Sequence, residues 1–428
     1  MKILLVNPAF IGYKGRDLFP LGLAYLTSVL ENHEIKILDL QVQKLNDNDL
    51  EKEIEWPDIV GITCTTPSFS EASKIAQLAK AKQKIVVMGG VHATFCPEDA
   101  LNYCDIVVFG EGELTFKELC NSLENLEKKQ FYQKLQKIKG IAYKKRNKII
   151  INKPRELIDI NSLSMPQYNL FPMYDYDIMS VITSRGCSLN CVYCAARNFW
   201  QGKVRYRSIK NVVQELKFLK EKYGKTNFKF HDSTFSLNMK RAKELCNAIK
   251  PLQLRWSCET KAEFLDKELI KKMADAGCKL IALGIDSGDP KVLKQCNRKA
   301  NFKKIYEAIK FCKKYNIKTR AYVIVGLPGE TEKSMNKTIA LINKIKPDFV
   351  MLSLATSYPG CNLISSKHEF SESWTAKFLG HGRCAPIHIP STLTKKQFIK
   401  IADKMWQWCK DYNKKQQEAK NKHIKIIN

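Results

Sequence analysis

Residues 183–200 read TSRGCSLNCVYCAARNFW. Cys187, Cys191 and Cys194 fall at spacings of four and three, and a cationic, aromatic run follows at once. Just before them DIMSVITS is a short apolar run of strand character, so the cysteines belong to a loop at a strand's carboxyl end. The pattern then repeats. NFKFHDS, LRWSCET, KLIALGIDS, TRAYVIVG and FVMLSLATS read as strands, separated by helical stretches such as NVVQELKFLKEKYG and KELIKKMADAG. Six such units predict a parallel β/α barrel that stays open, since eight would close it. Function in barrels sits on the loops after the strands, and the three cysteines follow the first strand.

Upstream, KILLVN, EIKILDL, DIVGIT, KIVVMGG and DIVVFG are Val- and Ile-rich runs alternating with helical patterns such as SFSEASKIAQLAKAK. Fully apolar strands with crossovers of this length predict a doubly wound parallel sheet, in flavodoxin-like order, whose ligands lie beyond the carboxyl ends of the strands. The loops there are NPAF, TCTTPSF, GGVHATF and GEGELTF. Neither G-x-G-x-x-G after the first strand nor a P-loop is present, which lowers the nucleotide option. The expected organisation of this α/β chain is a first domain over 1–140, a hairpin and linker over 141–175, the partial barrel over 176–375 and a short helical tail over 376–428. The hairpin is expected to turn at Arg146-Asn147.

The chain has 428 residues and a formal net charge of +28. Of the 71 basic residues 59 are lysine, spread along helices with glutamate, whereas a base-reading surface favours arginine. A lysine-rich background is the blander account, and nucleic acid is not the expected partner. Fifteen scattered cysteines indicate a reducing compartment. No apolar run approaches the about 18–20 residues of a membrane span. MKILLVNPAF runs straight into a strand with no signal-peptide pattern, so a cytoplasmic enzyme is expected.

Structural zinc commonly takes four ligands, often from two Cys-x-x-Cys arms, and no second arm lies near; His231 could complete such a site. A redox pair needs two cysteines. Three thiolates suit an iron–sulfur cluster, leaving one iron of a 4Fe–4S cube free to chelate a small molecule.

Cys-x-x-x-Cys-x-x-Cys with Tyr193 before the last cysteine, after the first strand of a partial barrel, resembles the radical S-adenosylmethionine (SAM) superfamily. The resemblance implies that SAM binds the open iron and is cleaved by one electron to a 5′-deoxyadenosyl radical. It implies an electron donor such as flavodoxin or ferredoxin. It also places SAM contacts at Tyr193, at Asp232 and Ser233 in FHDSTFS, and at Glu259 in CETKAEF. Further contacts are expected at Asp286 and Ser287 in GIDSGDP and at Gly326 and Leu327 in VGLPGET. Asp286 stands where the family has Glu, one methylene longer. Arg185 and Arg197 flank the cysteines, where cations would tune the cluster, meet substrate or simply sit at the surface.

GGVHAT, GEGE and LGLAYL, in the first domain, resemble the cobalamin-binding domain of one large radical SAM subclass, with a non-binding relic as the plainer alternative. This implies corrin contacts at Pro8, Thr65, Thr66, Pro67, Ser68, Gly89, Gly90, Val91, His92, Gly110, Glu111, Gly112 and Glu113. The Asp-x-His-x-x-Gly motif that supplies a cobalt ligand is missing after the first strand, so a base-off cofactor without a histidine lower ligand is expected. The combined resemblance points to a methyltransferase acting on an unactivated carbon of an unidentified small molecule, lipid or peptide. Cyclisation or rearrangement without methyl transfer, a tRNA methylthiotransferase and a non-catalytic corrinoid or zinc module are the alternatives. No catalytic side chain is assigned.

Overall fold

The computed structural model describes residues 1–9, 18–124, 130–363 and 386–427. Strands β1 (Lys2–Asn7), β2 (Glu34–Asp39), β3 (Ile59–Thr63), β4 (Ile85–Gly89) and β5 (Ile106–Val108) pair in parallel in the order β2-β1-β3-β4-β5. Alternate side chains leave on opposite faces: Ile3, Leu5, Ile59 and Val87 enter one core, and Leu4, Val6, Val60 and Val86 the other. Burial on both faces is why these runs are continuously apolar. The order reverses between β1 and β3, which puts a crevice beyond their carboxyl ends.

A hairpin follows, β6 (Ile141–Lys145) and β7 (Lys148–Ile151), turning through Arg146 (φ 47°) and Asn147 (φ 62°). Two left-handed residues in succession make the turn whose twist matches the strands. β6 pairs antiparallel with β5. The hairpin therefore completes a seven-stranded sheet, where the sequence reading grouped it with the linker. The linker proper packs back on the first sheet: Tyr176 Oη donates to Asp39 at 2.7 Å, and Gln167 N donates to Thr27 Oγ1 at 3.0 Å.

The second sheet is built from β8 (Met179–Val181), β11 (Asn227–Phe230), β12 (Arg255–Thr260), β13 (Cys278–Asp286), β14 (Lys318–Val325) and β15 (Phe349–Leu354), all parallel in that order. Between β8 and β11 lies a short ribbon of β9 (Ser184–Arg185) and β10 (Arg205–Tyr206), flanking the cysteine loop. Helices cover its outside. Ile209–Tyr223, for example, buries Val212, Leu216 and Leu219, starts on the Ser208 cap and stops at Gly224 (φ 66°).

The tail was expected as a short helical region. It contains one helix of 33 residues, Lys395–Ile427, seated on β15. Tyr412 Oη donates to the Pro347 carbonyl at 2.7 Å, and Asn413 Nδ2 to the Val350 carbonyl at 2.8 Å. The expected boundary at 375–376 lies outside the described residues, as do Cys384 and the loop residues after Ala9. Among the described residues no helix is long and apolar enough to cross a membrane.

Candidate active site between sheet and barrel

The cysteine loop is held in place by its own backbone and by the barrel. Gly186 precedes Cys187 with φ 102°, and a Cβ there would meet the Lys203 carbonyl at 1.9 Å, so only glycine turns the chain here. Val192 N donates to the Cys296 carbonyl at 3.2 Å, and Asn362 N to the Val192 carbonyl at 2.8 Å. Tyr193 Oη donates to Asp286 Oδ2 at 2.8 Å, tying the loop to the end of β13. Arg197 reaches the Ser188 carbonyl at 2.8 Å.

Cys187, Cys191 and Cys194 are free thiols, the first two buried and the third exposed. Although Cys194 is exposed as a residue, the protein packed around its sulfur pushes the thiol up, helped by nearby Cys191 and Cys187, while Lys261 pulls it down. Lys261 Nζ lies 3.7 Å from Cys191 Sγ. Among the described residues no three His, Cys, Asp or Glu side chains surround the position of a single metal ion. Three thiols on one short loop, with a lysine 3.7 Å from one of them, fit the donor chemistry of a cluster, which spreads its thiolates wider than one ion does.

The other acidic groups expected at the barrel mouth already have partners. Asp232 is buried, and its Oδ1 accepts from Thr183 N and Thr183 Oγ1, both at 3.1 Å, and from Ser184 Oγ. Its carboxylate joins the ends of β8 and β11 instead of standing free for an ammonium group. Asp286, in the left-handed region (φ 64°), accepts from Arg298 Nε at 2.7 Å as well as from Tyr193. Ser287 is buried against Thr338, 3.5 Å away. Glu330 accepts from Gly326 N at 2.6 Å and Leu327 N at 3.1 Å, and Leu327 is buried. Burial raises the Glu330 carboxyl to about 8. Glu259 faces the barrel interior, paired with Lys229 at 3.0 Å and with Tyr322 Oη at 3.2 Å. Ser233 is exposed.

A cavity of about 490 Å³ lies between the carboxyl ends of the first sheet and the barrel. Thr65, Gly89, Gly90, Val91, Gly110, Glu111, Gly112 and Glu113 line it from the sheet, and Ile182, Ser184, Arg185, Gly186, His231 and Ser233 from the barrel. Its apolar floor runs down to Leu5, Gly61 and Phe116. A Cβ on Gly61 would strike Leu5 at 2.8 Å and Phe116 at 3.2 Å, whereas one on Gly22 would meet nothing within 4 Å. Five expected corrin contacts are not on this wall: Pro8, Thr66, Pro67, Ser68 and His92. His92 is buried, stacked on Phe69 at 4.0 Å, with Nδ1 3.2 Å from Thr66 Oγ1 and Nε2 3.3 Å from Asp99. Burial lowers its pKa.

One group that the sequence reading left undecided ties the two halves together. Arg185 donates to Glu111 Oε1 at 2.7 Å and to Glu113 Oε1 at 2.6 Å, and Arg205 donates to Glu111 at 2.8 and 2.9 Å. The Arg185 guanidinium also lies over the Tyr25 ring, 4.8 Å from its centroid. Arg185 neither meets the cavity as a free cation nor lies at the surface. Charge-assisted pairs through both of its nitrogens lock the barrel to the GEGE loop. Glu111 is held below the usual carboxylate range by the two arginines, against the opposing effect of burial.

Known proteins are similar to this chain in sequence and in fold. The radical SAM superfamily model matches residues 181–342 and the B12 binding domain model residues 10–120. An uncharacterized methyltransferase of Pyrococcus horikoshii is 36% identical over 85% of this chain and 82% of its own length. The bacteriochlorophyllide d C-12(1)-methyltransferase of Chlorobaculum tepidum is 28% identical over 84% of this chain and 76% of its own. Among solved structures, the radical SAM methyltransferase TsrM of Kitasatospora setae superposes with a TM-score of 0.79 at 18% identity, covering 95% of this chain and 88% of that one. That last likeness is one of fold. The chain belongs to the radical SAM superfamily, among the members that carry an amino-terminal B12 binding domain, and it is an enzyme.

Proposed function

We propose that the protein is a cobalamin-dependent radical SAM methyltransferase that adds a methyl group to an unactivated carbon. The observation that carries this reading is the single chamber on which the segment around the cysteine loop and the glycine loops of the first sheet both open. Cys187, Cys191 and Cys194 would hold the cluster, with Lys261 beside Cys191 lowering the cost of collecting thiolate charge. SAM would take the barrel mouth. There Glu259 and Ser233 remain open to solvent, while Asp232, Asp286 and Glu330 shape the backbone that Tyr193, Ser287, Gly326 and Leu327 present. When bound, these groups supply one-electron cleavage of a sulfonium and a transferable methyl group.

Cobalamin would lie along Thr65, Gly89–Val91 and Gly110–Glu113, with apolar parts of the cofactor in the slot between Gly22, Gly61 and Phe116. The sheet-side wall favours a base-off cofactor without a histidine ligand, because His92 is committed to Thr66, Asp99 and Phe69. The domain division of the sequence reading carries over with one change, the hairpin moving into the first domain. Water exclusion by Phe199, Trp200 and the Arg185 lock is the chain's own contribution to the chemistry.

A methylthiotransferase reading would need reactive cysteines in the first domain. Cys64, Cys104 and Cys120 are buried, with thiols pushed up to about 12, which marks them as core residues, and the half-buried Cys96 thiol is raised by burial and by Asp99 and Glu98, opposite to what a reactive thiolate needs. Cyclisation is favoured by the name of one relative, an anaerobic magnesium-protoporphyrin IX monomethyl ester cyclase of Cereibacter sphaeroides, 26% identical over 93% of this chain. Anaerobic turnover with SAM labelled in its methyl group separates the two. Label in the product supports methyl transfer and an unlabelled product supports cyclisation. Cys191→Ala should abolish SAM cleavage and leave cobalamin uptake intact.

A further inference from the structure

His231 and Tyr25 have no part in the reading above, yet both line the chamber, one from each side. His231 follows β11 with its backbone N–H bonded to the Val181 carbonyl at 2.9 Å, so its ring is placed by the barrel frame. Its Nε2 is buried and has no hydrogen-bond partner. The Tyr25 ring is buried beneath Arg185, and its Oη is likewise buried and unpartnered. A buried polar atom left unpaired costs about 1–3 kcal/mol, so the unpaired His231 Nε2 in a residue of the cavity wall points to a ligand that satisfies it. Burial, with Lys229 adding to it, lowers the His231 pKa to about 4, so the ring is neutral at pH 7. Burial raises that of Tyr25, which stays protonated.

The rest of the wall sets the charge. Among the described lining residues the formal charges are those of Glu111, Glu113 and Arg185, and with Arg205 behind them they form a balanced quartet. No cation among the described lining residues is left over to meet a substrate's carboxylate or phosphate, and burying an uncompensated anion is far costlier than burying an amide.

We propose that His231 is a specificity-determining residue of the chamber, selecting a substrate that enters it uncharged and largely apolar, with one hydrogen-bonding group such as an amide, hydroxyl or ring N–H. This rests on the functional reading above, and it names the substrate class that reading leaves open. The substrate's polar group meets His231 Nε2 on the barrel side, while apolar surface meets Phe199, Trp200 and Ile182.

Two planar probes of the same shape test it: naphthalene-2-carboxamide, neutral, and 2-naphthoate, an anion. Binding is measured by calorimetry on protein carrying cluster, SAM and cobalamin. The carboxamide should bind about 10-fold or more tighter than the naphthoate. His231→Phe should weaken the carboxamide by about 5- to 30-fold and leave the naphthoate unchanged, and His231→Asn should restore part of the loss. Equal or tighter binding of the naphthoate would overturn the proposal. So would an unchanged carboxamide affinity in folded His231→Phe, or saturable binding of neither probe while cofactor uptake is intact. Failure to take up cobalamin, read from the visible spectrum, would strike the functional reading itself and this proposal with it.

Discussion

The two mouths that face each other across the chamber are built on opposite principles. At the barrel mouth nearly every polar group is spent. Asp232 binds Thr183 and Ser184, Asp286 binds Arg298 and Tyr193, and Glu330 binds two backbone amides. At the sheet mouth glycines leave room, and the carboxylates that do appear, Glu111 and Glu113, reach across to hold the barrel. The barrel uses charge to fix loops, whereas the sheet uses the lack of side chains to admit a large ligand. Carboxylates in a mouth are therefore poor guides to ligand contacts until their partners are known.

The contrast breaks most readily at Arg185. Arg185→Met leaves Glu111 with Arg205 as its remaining arginine and takes the ion-pair partner from buried Glu113. Losing one member of a buried ion network costs about 3–5 kcal/mol, which a urea or guanidinium midpoint would show directly. Asp232→Asn should cost less, about 1–3 kcal/mol, because it weakens one carboxylate shared by three donors. Its midpoint shift should persist with or without SAM if the residue serves the frame.

Gly22→Leu sharpens the comparison from the other side. A Cβ there meets nothing within 4 Å, so the side chain can branch from the backbone without a clash and take up room in the slot. Leaving glycine in the helix Leu21–Thr27 should raise stability by about 0.5–1 kcal/mol. Cobalamin uptake should fall about 10-fold or more, while iron content stays constant.

A separate effect, set by pH, is expected in acid. His231 titrates near 4 when folded and near 6.5 when unfolded, so between those values the unfolded chain binds more protons. Stability then rises with pH across that window and is lost as pH falls through it. His231→Gln should flatten the melting temperature between pH 6.5 and 4. Glu330 works with the opposite sign: its folded value near 8 lies above the unfolded 4.5, so its contribution declines as pH rises between them.

The framework was legible in the chain because strands announce themselves locally. The eleven parallel strands come from short runs that are either continuously apolar, as in the first sheet, or alternate polar and apolar residues, as in RWSCET, and either pattern is decided within a few residues. Cys187, Cys191 and Cys194 were legible for the same reason, their spacing being local. What the sequence hid is long-range. Arg185 pairs with groups 72 and 74 residues away, and no local pattern distinguishes that from a cation facing a cluster. Asp232 lies 48 and 49 residues from the donors that occupy it. His92 looked like a cavity residue because it follows Gly89 and Gly90, yet the short helix Val91–Phe95 turns it back onto Phe69. The hairpin's turn was readable from Arg146-Asn147, but its pairing with β5 depended on an open sheet edge.

The proposed function requires cluster and corrin to lie close together, since the chamber reaches Arg185 and Gly186 just before Cys187. Electron paramagnetic resonance of anaerobic protein holding both a reduced cluster and cob(II)alamin tests it most directly. The account predicts a spectrum broadened or split by coupling between the two spins, collapsing to the cobalamin signal alone in Cys191→Ala. A spectrum equal to the sum of the two separate centres would contradict it.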